Sequence, residues 1–414
     1  MIKENYMEKL LEGVEVKWKA LGEVCDFQNG FAFKSSLFKE NGLPIIRIAN
    51  IDGKNIDLTN GKYFNPADYK GITKNYEVNK GDILIAMSGA TTGKIGFYDY
   101  KYSAYLNQRV GKFVPNIAFL NNRYLYHFLL SKVEEIYILA GGGAQPNLSS
   151  NNLMKKVQIP IPPLKVQEEI VRILDAYTKL TAKLTAELTA ELTARKKQYN
   201  CYRDELLTFE EDEVEWKTLG EMGEFTRGKR FVKTDMLSEG FPCIHYGEMY
   251  THYNIWADKT KSFVSHDLAS KLRVADHGDV VIVAAGETIE DIGKGTAWLG
   301  NTGVVIHDAC FSYRSSLNPK YVSYFLRTTL FHDQIKKNIS SGKISAIKAN
   351  GLSKAKIAIP SIEEQARIVS ILDKLDALIP AITEALLREI ELRKKQYEYY
   401  RNLLLSFPKS EVGS

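Results

Sequence analysis

The stretch from Thr178 to Tyr199 reads TKLTAKLTAELTAELTARKKQY and contains four tandem tetrads, each with leucine first and Thr-Ala next. A period of four is close to one helical turn, so the leucines form one slanted apolar row on a helix. These spacer leucines are Leu180, Leu184, Leu188 and Leu192. Each tetrad adds about 6 Å of helix, and no glycine or proline interrupts the series. We predict a helical ruler whose length depends on the number of tetrads.

The sequence on either side of this ruler is a duplication. The motif WKALGE returns as WKTLGE, and RKKQY returns unchanged, with an offset of 198 residues in both cases. Each repeat begins with short β-type runs separated by Gly, Asn and Asp, and passes through an Ile-Pro step into a long helical pattern. The matched pairs include Trp18 and Trp216, Gln167 and Gln365, Asp175 and Asp373, and Arg195 and Arg393.

These repeats predict an α+β fold, with two pseudo-symmetric α/β globular domains separated by a pair of long antiparallel helices that form a coiled-coil-like spacer. Mutual pairing of the helices is expected because each would otherwise expose an apolar stripe. Each helix would be about 65–70 Å long. The predicted segments are an N-terminal segment matching the tail of a conserved helix (1–17), a first globular domain (18–162), a central spacer helix (163–213), a second globular domain (214–360), a distal spacer helix (361–407) and a tail (408–414).

Three local features complete the predicted fold. Helices are expected at 121–139 and at 319–335, the second with Pro319 at its start. Pro380 aligns with Ala182 and is expected to kink or interrupt the second long helix. The N-terminus resembles a helix tail, and the C-terminus stops at a matching tail, so we infer a ring of two repeats whose termini lie near each other.

Composition restricts the class of protein. The 414 residues exceed one ordinary domain, and 44% of them are hydrophobic, which is enough for buried cores. The sequence has no membrane span and no signal peptide, so we predict a cytoplasmic protein. The net charge of +5 permits a nucleic-acid partner. The four cysteines are scattered without a CxxC, which argues against a zinc site or a disulfide framework.

The sequence contains no recognisable catalytic motif. The loop GATTGKI at Gly89–Ile95 is one residue too short for a phosphate-binding P-loop and has Ile where the hydroxyl belongs. A glycine-flanked lysine recurs in both repeats, as Lys94 and Lys294, and suits close approach to phosphates or base edges. Six of the seven histidines fall in the second repeat, without metal-ligand spacing. No metal site is therefore predicted.

Two globular units, each followed by a long helix, with LTAE tetrads in the first helix, resemble the DNA-specificity (S) subunit of type I restriction-modification systems. Supporting matches are IPIPPL from Ile159 with Gln167, and IPS from Ile359 with Gln365. The resemblance covers nearly the whole chain. It implies two target recognition domains, each reading one half of a split DNA site, and paired helices that set the gap and dock methyltransferase subunits.

The same resemblance implies a chain that is not an enzyme by itself and has no cofactor of its own. S-adenosylmethionine, ATP and Mg²⁺ are expected on partner subunits. The implied partners are double-stranded DNA, a pair of methyltransferase subunits, and restriction (motor-nuclease) subunits that join through the methyltransferase core, with no membrane.

Candidate DNA contacts are loop residues with donor-rich or stacking side chains. Arg and Lys suit guanine edges or phosphates, Asn and Gln suit adenine, and Glu accepts from cytosine. In the first domain the candidates are Asn29, Phe33, Lys34, Arg47, Asn50, Ser88, Thr91, Thr92, Lys94, Asn107, Gln108, Arg109, Gln145 and Asn147. In the second they are Arg227, Lys229, Arg230, His245, Tyr246, Glu248, Tyr250, Glu287, Thr288, Lys294, Ser341 and Lys343. Because the two sets differ, we expect different half-sites.

Two other functions are kept as alternatives. A stand-alone nuclease or methyltransferase with a divergent site would cut or methylate DNA without a partner, given Mg²⁺ or S-adenosylmethionine. A coiled-coil scaffold that binds only protein would show no DNA affinity that falls with salt, whereas phosphate contacts require that dependence.

Overall fold

The computed structural model describes residues 10–11, 14–69, 74–141, 146–210, 212–342 and 344–408. The chain divides into two compact units. Unit 1 comprises Met1–Glu187 and Arg388–Ser414, and unit 2 comprises Leu188–Leu387. Each unit therefore holds one globular repeat, the first half of the long helix that follows it, and the second half of the other long helix.

Unit 1 contains one antiparallel and one mixed four-stranded sheet and a two-stranded ribbon, in the orders β2-β9-β6-β7, β4-β3-β8-β5 and β1-β10. Its strands are β1 (Lys17–Ala20), β2 (Cys25–Asn29), β3 (Leu43–Ile46), β4 (Lys62–Phe64), β5 (Glu77–Val78), β6 (Ile83–Ala86), β7 (Ile95–Phe97), β8 (Ala104–Leu106), β9 (Val110–Pro115) and β10 (Gln158–Ile161). Its helices are α1 (Leu21–Val24), α2 (Asn122–Ser131), α3 (Val133–Leu139), α4 (Ser150–Lys156) and the first half of α5 (Leu164–Leu206).

Unit 2 repeats this plan, with the sheet orders β12-β21-β17-β19-β14, β15-β13-β20-β16, β11-β23 and β18-β22. Its strands are β11 (Glu215–Thr218), β12 (Gly223–Arg227), β13 (Phe241–Ile244), β14 (Trp256–Ala257), β15 (Ser262–Val264), β16 (Val274–Ala275), β17 (Val280–Val283), β18 (Ala285–Gly286), β19 (Gly295–Trp298), β20 (Val304–Ile306), β21 (Cys310–Ser315), β22 (Ser345–Ala346) and β23 (Lys356–Ile359). Its helices are α6 (Leu219–Met222), α7 (Glu248–Thr251), α8 (His266–Ala269), α9 (Pro319–Phe325), α10 (Thr329–Ile335), α11 (Ala349–Ser353) and the first half of α12 (Ile362–Leu405).

The central strands β6 and β17 occupy equivalent places in the two units. Every residue of both strands is buried, which explains why ILIA and VVIV are continuous apolar runs without alternation. A glycine precedes each strand in a turn with positive φ, 100° at Gly81 and 90° at Gly278. Side chains other than hydrogen are disfavoured in that region, so glycine is required in both repeats.

The glutamine near the start of each long helix is a structural residue. Gln167 is fully buried, accepts from Asn121 N at 2.8 Å and donates to Pro162 O at 2.8 Å. Gln365 accepts from Asn318 N at 2.9 Å and donates to the carbonyl of Pro360 at 2.9 Å. Each glutamine thus ties its long helix to the residue that caps α2 or α9. This contact explains why both repeats contain glutamine at this point.

An aspartate about two turns further along each long helix makes a second equivalent contact. Asp175 accepts from Arg123 at 2.5 Å and lies 2.8 Å from His127. Asp373 accepts from Lys320 and from the Tyr324 hydroxyl, both at 2.8 Å. Hydrogen bonds to charged groups at partly buried positions are among the stronger polar contacts. The duplicated aspartates therefore fasten each long helix to the globular part that precedes it.

The two long helices pair within each unit. Helix α5 has 43 residues and α12 has 44, so each is about 65 Å long. In unit 1 the Tyr177 and Tyr400 ring centroids lie 5.1 Å apart. In unit 2 the Tyr199 hydroxyl donates to Asp376 at 3.2 Å. The first half of each helix thus meets the second half of the other, which is an antiparallel order and confirms the predicted fold class.

The structure corrects two predictions of local geometry. The helix predicted at 121–139 is two helices, because Lys132 leaves the helical region with φ −108° and ψ 7°. The helix predicted at 319–335 also divides, where Thr328 caps α10 by accepting from Phe331 N at 3.2 Å. Pro319 does begin α9, as predicted. Neither break is marked by glycine or proline.

The second long helix continues through Pro380. The prediction was a kink or an interruption, and the interruption is wrong, whereas the kink stays a prediction. The missing proline N–H removes one bond to the carbonyl of Asp376. The preceding turns are held in the core of unit 2 by Ile368 and Leu372, which are buried. Of the spacer leucines, Leu180 is 62% exposed and the other three are partly buried. Among the described residues, no helix has both the length and the apolar character that a membrane span requires.

Candidate nucleic-acid interface

In unit 1, seven candidate side chains lie where three strands end. The residues that follow β3 and β8 are joined because Asn107 N donates to Ile46 O at 3.0 Å. The residues that follow β6 join them through a bond from Met87 N to Arg109 O at 2.9 Å. We call this group the unit-1 edge; it consists of Arg47, Ser88, Thr91, Asn107, Gln108, Arg109 and Asn147.

Several polar atoms of the unit-1 edge make no hydrogen bond within the described residues. The Nε atom of Arg47 and the Ser88 hydroxyl are shielded from solvent and lack a partner. The Arg47 guanidinium lies 6.0 Å from the centre of the Phe38 ring, and this contact orients the side chain. Gln108 and Arg109 are exposed. Unmade hydrogen bonds at shielded positions cost free energy, so the edge favours a ligand that completes them.

Three candidates of unit 1 have structural roles instead. Phe33 is only 6% exposed and packs in a cluster of aromatic rings, so it offers no face for stacking. Asn50 accepts from Arg47 N at 3.0 Å and donates to Asp57 O at 2.8 Å, which shapes the loop after β3. Thr92 donates at 2.7 Å to the carbonyl three residues earlier in its own loop. These three side chains are therefore not available to a ligand.

Four further candidates of unit 1 remain, of which the structure describes Asn29, Lys34 and Lys94. Asn29 ends β2, and the next residue, Gly30, is so close to the edge that a Cβ would lie 1.9 Å from the Asn107 carbonyl oxygen. Lys34 is exposed, and Lys94 is half-buried. Gln145 lies outside the described residues.

The equivalent strand ends of unit 2 form a cleft of about 720 Å³. His245 follows β13 as Arg47 follows β3, and His307 follows β20 as Asn107 follows β8. The two imidazole centroids lie 4.6 Å apart, and the Tyr246 ring lies 4.6 Å from that of His245. We call this site the unit-2 cleft; its lining includes Arg230, Phe231, His245, Tyr246, Glu287 and His307.

The two histidines of the unit-2 cleft are uncharged at neutral pH. Burial lowers the pKa of His245, and the neighbouring His307 lowers it further. Burial also lowers the pKa of His307, against the opposing effect of the Asp308 carboxylate. The Nδ1 atom of His245 accepts from Gly247 N at 3.2 Å, which assigns the ring proton to Nε2. The cleft therefore offers a neutral donor and aromatic faces.

Sequence reasoning misses His307, because it judges the histidines only by metal-ligand spacing. The usable signal is the alignment of the repeats, which places His307 after β20 where Asn107 follows β8. Among the described residues, no group of three or more His, Cys, Asp or Glu side chains is arranged to hold a metal ion.

Several candidates of unit 2 make bonds within the protein. Glu248 is buried and accepts from His245 N at 3.2 Å, and the Tyr250 hydroxyl donates to the Ala285 carbonyl at 3.0 Å. Glu248 therefore shapes the loop after β13, as Asn50 shapes the loop after β3 in unit 1. Its side chain is not available to a ligand. Lys294 pairs with Asp291 at 2.5 Å, and Thr288 donates to the same carboxylate.

The remaining candidates of unit 2 that the structure describes are exposed. Arg227 donates through Nε to the Asp308 carbonyl at 2.9 Å, and Lys229 donates to the Lys271 carbonyl at 2.8 Å. Both side chains are exposed and keep further donors free for a ligand. Ser341 is exposed, and Lys343 lies outside the described residues.

Comparison with known proteins relates this architecture to one family. The chain matches the family described as "Type I restriction modification DNA specificity domain" over residues 13–194 and again over residues 211–392. It is 34% identical to the EcoR124I/EcoR124II type I restriction enzyme specificity subunit of Escherichia coli, across 100% of both chains. It is 36% identical to a putative type I restriction enzyme specificity subunit of Haemophilus influenzae, covering 97% of this chain and 98% of the relative.

Two solved structures share the fold. A chain described under "complex assembly and conformational transition of the type I R-M system" matches with a TM-score of 0.72 and 18% identity, covering 94% of this chain and 97% of that one. The crystal structure of the HsdS subunit from Thermoanaerobacter tengcongensis matches with a TM-score of 0.55 and 18% identity, covering 94% and 96%. The duplicated family match and the full-length relatives agree with the duplicated architecture. The chain therefore belongs to the family of type I restriction-modification DNA specificity subunits.

Proposed function

We propose that this specificity subunit reads a bipartite site on double-stranded DNA, one half with the unit-1 edge and the other with the unit-2 cleft. The observation that carries the proposal is the pair of equivalent strand ends furnished with different side chains. Arg47 stands where the other repeat has His245, and Asn107 stands where it has His307. A shared scaffold with different polar groups is suited to reading two different sequences.

The chemistry of the two sites supports different base preferences. Arg47 and Arg109 can each bond to the two acceptors of guanine, and Gln108 can bond to adenine. In the unit-2 cleft the exposed Glu287 carboxylate can accept from the cytosine amino group, and neutral His245 can donate one hydrogen bond. The two half-sites are therefore different sequences, and the whole site is not a palindrome.

We extend this proposal to the domains and the partners. The domains are target recognition domains at 18–162 and 214–360, and the spacer helices at 163–213 and 361–407 dock a pair of methyltransferase subunits. Restriction subunits join through the methyltransferase core. The partners supply S-adenosylmethionine, ATP and Mg²⁺, and this chain supplies the choice of DNA sequence.

The test is to produce the chain with the methyltransferase subunit of its own host and map methylated adenines across a genome. We expect a split motif with a fixed gap between the halves. A complex that forms but methylates no defined motif would contradict the proposal and favour the scaffold alternative. Cleavage or methylation by the chain alone would favour the stand-alone enzyme.

The same assay tests the helical ruler. Deletion of one tetrad, Leu188–Glu191, removes about 6 Å of helix, which is slightly less than two base-pair steps of about 3.4 Å. The gap in the methylated motif should shorten while both half-sites stay the same. A changed half-site would show that the tetrads contribute to base recognition and not only to spacing.

A further inference from the structure

Unit 2 has a second pocket, of about 640 Å³, which the recognition of base edges leaves without a role. It is lined by the second half of α5, by the loop that leads into β19, and by α10. The loop at 285–294 separates this pocket from the unit-2 cleft, since its first residues line the cleft and its later residues line the pocket.

An arginine without a carboxylate partner lines this pocket. Arg327 donates to the carbonyls of Asn254 at 2.8 Å and Gly295 at 3.2 Å. It makes no ion pair within 4 Å with an acidic residue that the structure describes. Its Nε atom is shielded from solvent and has no hydrogen-bond partner among the described residues. The Asp376 carboxylate attracts this guanidinium electrostatically but makes no ion pair with it within 4 Å. A shielded donor of a charged group without an acceptor is unfavourable, so an anion that accepts from it would stabilise the site.

The other charged groups of the pocket do not fill this need. Asp376 accepts hydrogen bonds from Tyr199 at 3.2 Å and from Asn254 at 2.9 Å. Glu290 and Asp333 are exposed to solvent, where water stabilises them. Lys336 is an exposed cation on the same pocket. Arg203 and Lys294 also line the pocket, and each is paired with a carboxylate. The partly buried Arg327 guanidinium is thus left as the group with an unsatisfied donor for an incoming anion.

The first repeat has an uncharged residue at the position equivalent to Arg327. His127 and Tyr324 are equivalent because each bonds to the duplicated aspartate, so the residue three positions later is Leu130 in unit 1 and Arg327 in unit 2. Leu130 is 7% exposed and packs in the core of unit 1. The fold therefore accepts leucine at this position. The arginine is a feature of the second unit and is not required by the shared architecture.

We propose that this pocket binds a phosphate group, held by Arg327 and supported by Lys336. A phosphate supplies the negative charge and the acceptor oxygens that the shielded guanidinium lacks. The phosphate can belong to the DNA backbone, an assignment that rests on the proposed function, or to free phosphate, which does not. The two sources share the same chemistry and are separated by the measurements below.

The first measurement is thermal unfolding of the full chain in complex with its methyltransferase subunits, in inorganic phosphate against chloride at equal ionic strength. Phosphate at ten times its dissociation constant should raise the Tm by about 2 °C. Arg327→Leu should abolish this rise, because it installs the residue of the other repeat. Lys354→Leu, which removes an exposed cation of the same unit outside both pockets, should keep it. No phosphate-specific rise, or an undiminished rise in R327L, would overturn the proposal.

The second measurement identifies the source of the phosphate. If a backbone phosphate occupies the pocket, R327L should lower the slope of log affinity for DNA against log salt by about 1, for specific and nonspecific duplexes alike. An unchanged slope with a lost Tm rise assigns the site to free phosphate. If R327L does not fold, Lys336→Gln should weaken the phosphate effect several-fold, and an unchanged effect would overturn the proposal. A split methylation motif without any phosphate effect would leave the proposed function standing and remove only this inference.

Discussion

Single residues divide into those that shape the recognition loops and those that remain free to meet DNA. Asn50 lies in the loop after β3, and Glu248 lies in the loop after β13. Each side chain accepts a hydrogen bond from the backbone N–H of the residue three positions earlier. Arg47 and His245, which provide those N–H groups, keep side-chain atoms available at the strand ends. Of two polar residues in one loop, one therefore stabilises the loop and the other is available to a ligand. Their residue types alone do not distinguish these roles.

Replacing Arg47 by alanine tests a base contact. If its guanidinium reads a base edge, Arg47→Ala should cost about 1–3 kcal/mol of discrimination at one position of one half-site, with the other half-site unchanged. Methylation mapping of the variant complex measures this effect. Asn50→Ala is the matched control, because it should lower thermal stability by about 1–3 kcal/mol through loss of the loop bonds. Equal loss at every position for R47A would instead indicate a phosphate contact.

Replacing His127 by tyrosine tests a buried titratable group. Burial is the main cause that lowers the pKa of His127, so the folded chain binds this proton less readily than the unfolded chain, whose value is near 6.5. Protonation therefore favours unfolding, and stability should fall as pH drops from about 7 through the lowered pKa. His127→Tyr installs the residue of the other repeat, whose hydroxyl bonds to the duplicated aspartate. Thermal unfolding at pH 5–7.5 should show a weaker loss of stability at acidic pH in this variant.

Three other histidines with lowered pKa, at 245, 307 and 332, will keep part of the acid dependence. The comparison is therefore the difference between the variant and the wild type at each pH. A difference that does not vary with pH would show that the effect of His127 is packing and not titration.

At the level of elements, the long helices combine a regular pattern with one exception. Helix α5 has no internal proline, whereas α12 continues through Pro380. Polar contacts inside each unit hold the helices, such as Tyr199 to Asp376 and Asp175 to Arg123. A proline can therefore remain in α12 because the turn before it is held by Asp376, which accepts from Tyr199 of α5 at 3.2 Å and from Asn254 of the globular part at 2.9 Å.

Exchanging Pro380 for alanine tests this balance. Pro380→Ala restores one helix hydrogen bond and should raise stability by up to about 3 kcal/mol, which thermal unfolding measures. Ala182→Pro places proline at the aligned position of α5 and should lower stability by a similar amount. If P380A is less stable than the wild type, the proline geometry itself is needed for the helix to reach its contacts.

The whole molecule is a duplication in which each long helix contributes to both units. Strand β1 contacts the segment that follows α12 in unit 1, where Trp18 Nε1 donates to the Pro408 carbonyl at 3.2 Å. Leu10 and Leu11 pack on the same core. These contacts agree with the expected ring of two repeats, because both ends of the described chain belong to one unit.

A circularly permuted chain tests this organisation. Residues 408 and 14 would be joined by a short linker, and the chain would be opened after Glu210, the equivalent place of the other repeat. The permuted protein should fold with a similar Tm and, with its methyltransferase, methylate the same split motif. A chain opened after Glu210 without the linker is the control for covalent connection. A folded permutant with an altered motif would show that the native connection fixes how the units read DNA.

The duplication, the long helices and their antiparallel order are predictable from the amino-acid sequence, because they depend on periodicity and on the offset between repeats. The tetrads predict a helix since every fourth residue falls on one face. The paired Gln167 and Gln365 are visible as a repeat, although their hydrogen bonds are not. Family membership also followed from these regular features, and full-length relatives confirm it.

Which candidate side chains are available to a ligand depends on tertiary contacts. Phe33 and Thr92 look like loop residues but are buried, and His307 joins His245 only because β13 and β20 are neighbouring parallel strands. The breaks at Lys132 and between α9 and α10 also depend on packing. The physical reason is that burial and hydrogen-bond partners come from residues distant in sequence, whereas propensity and periodicity are local.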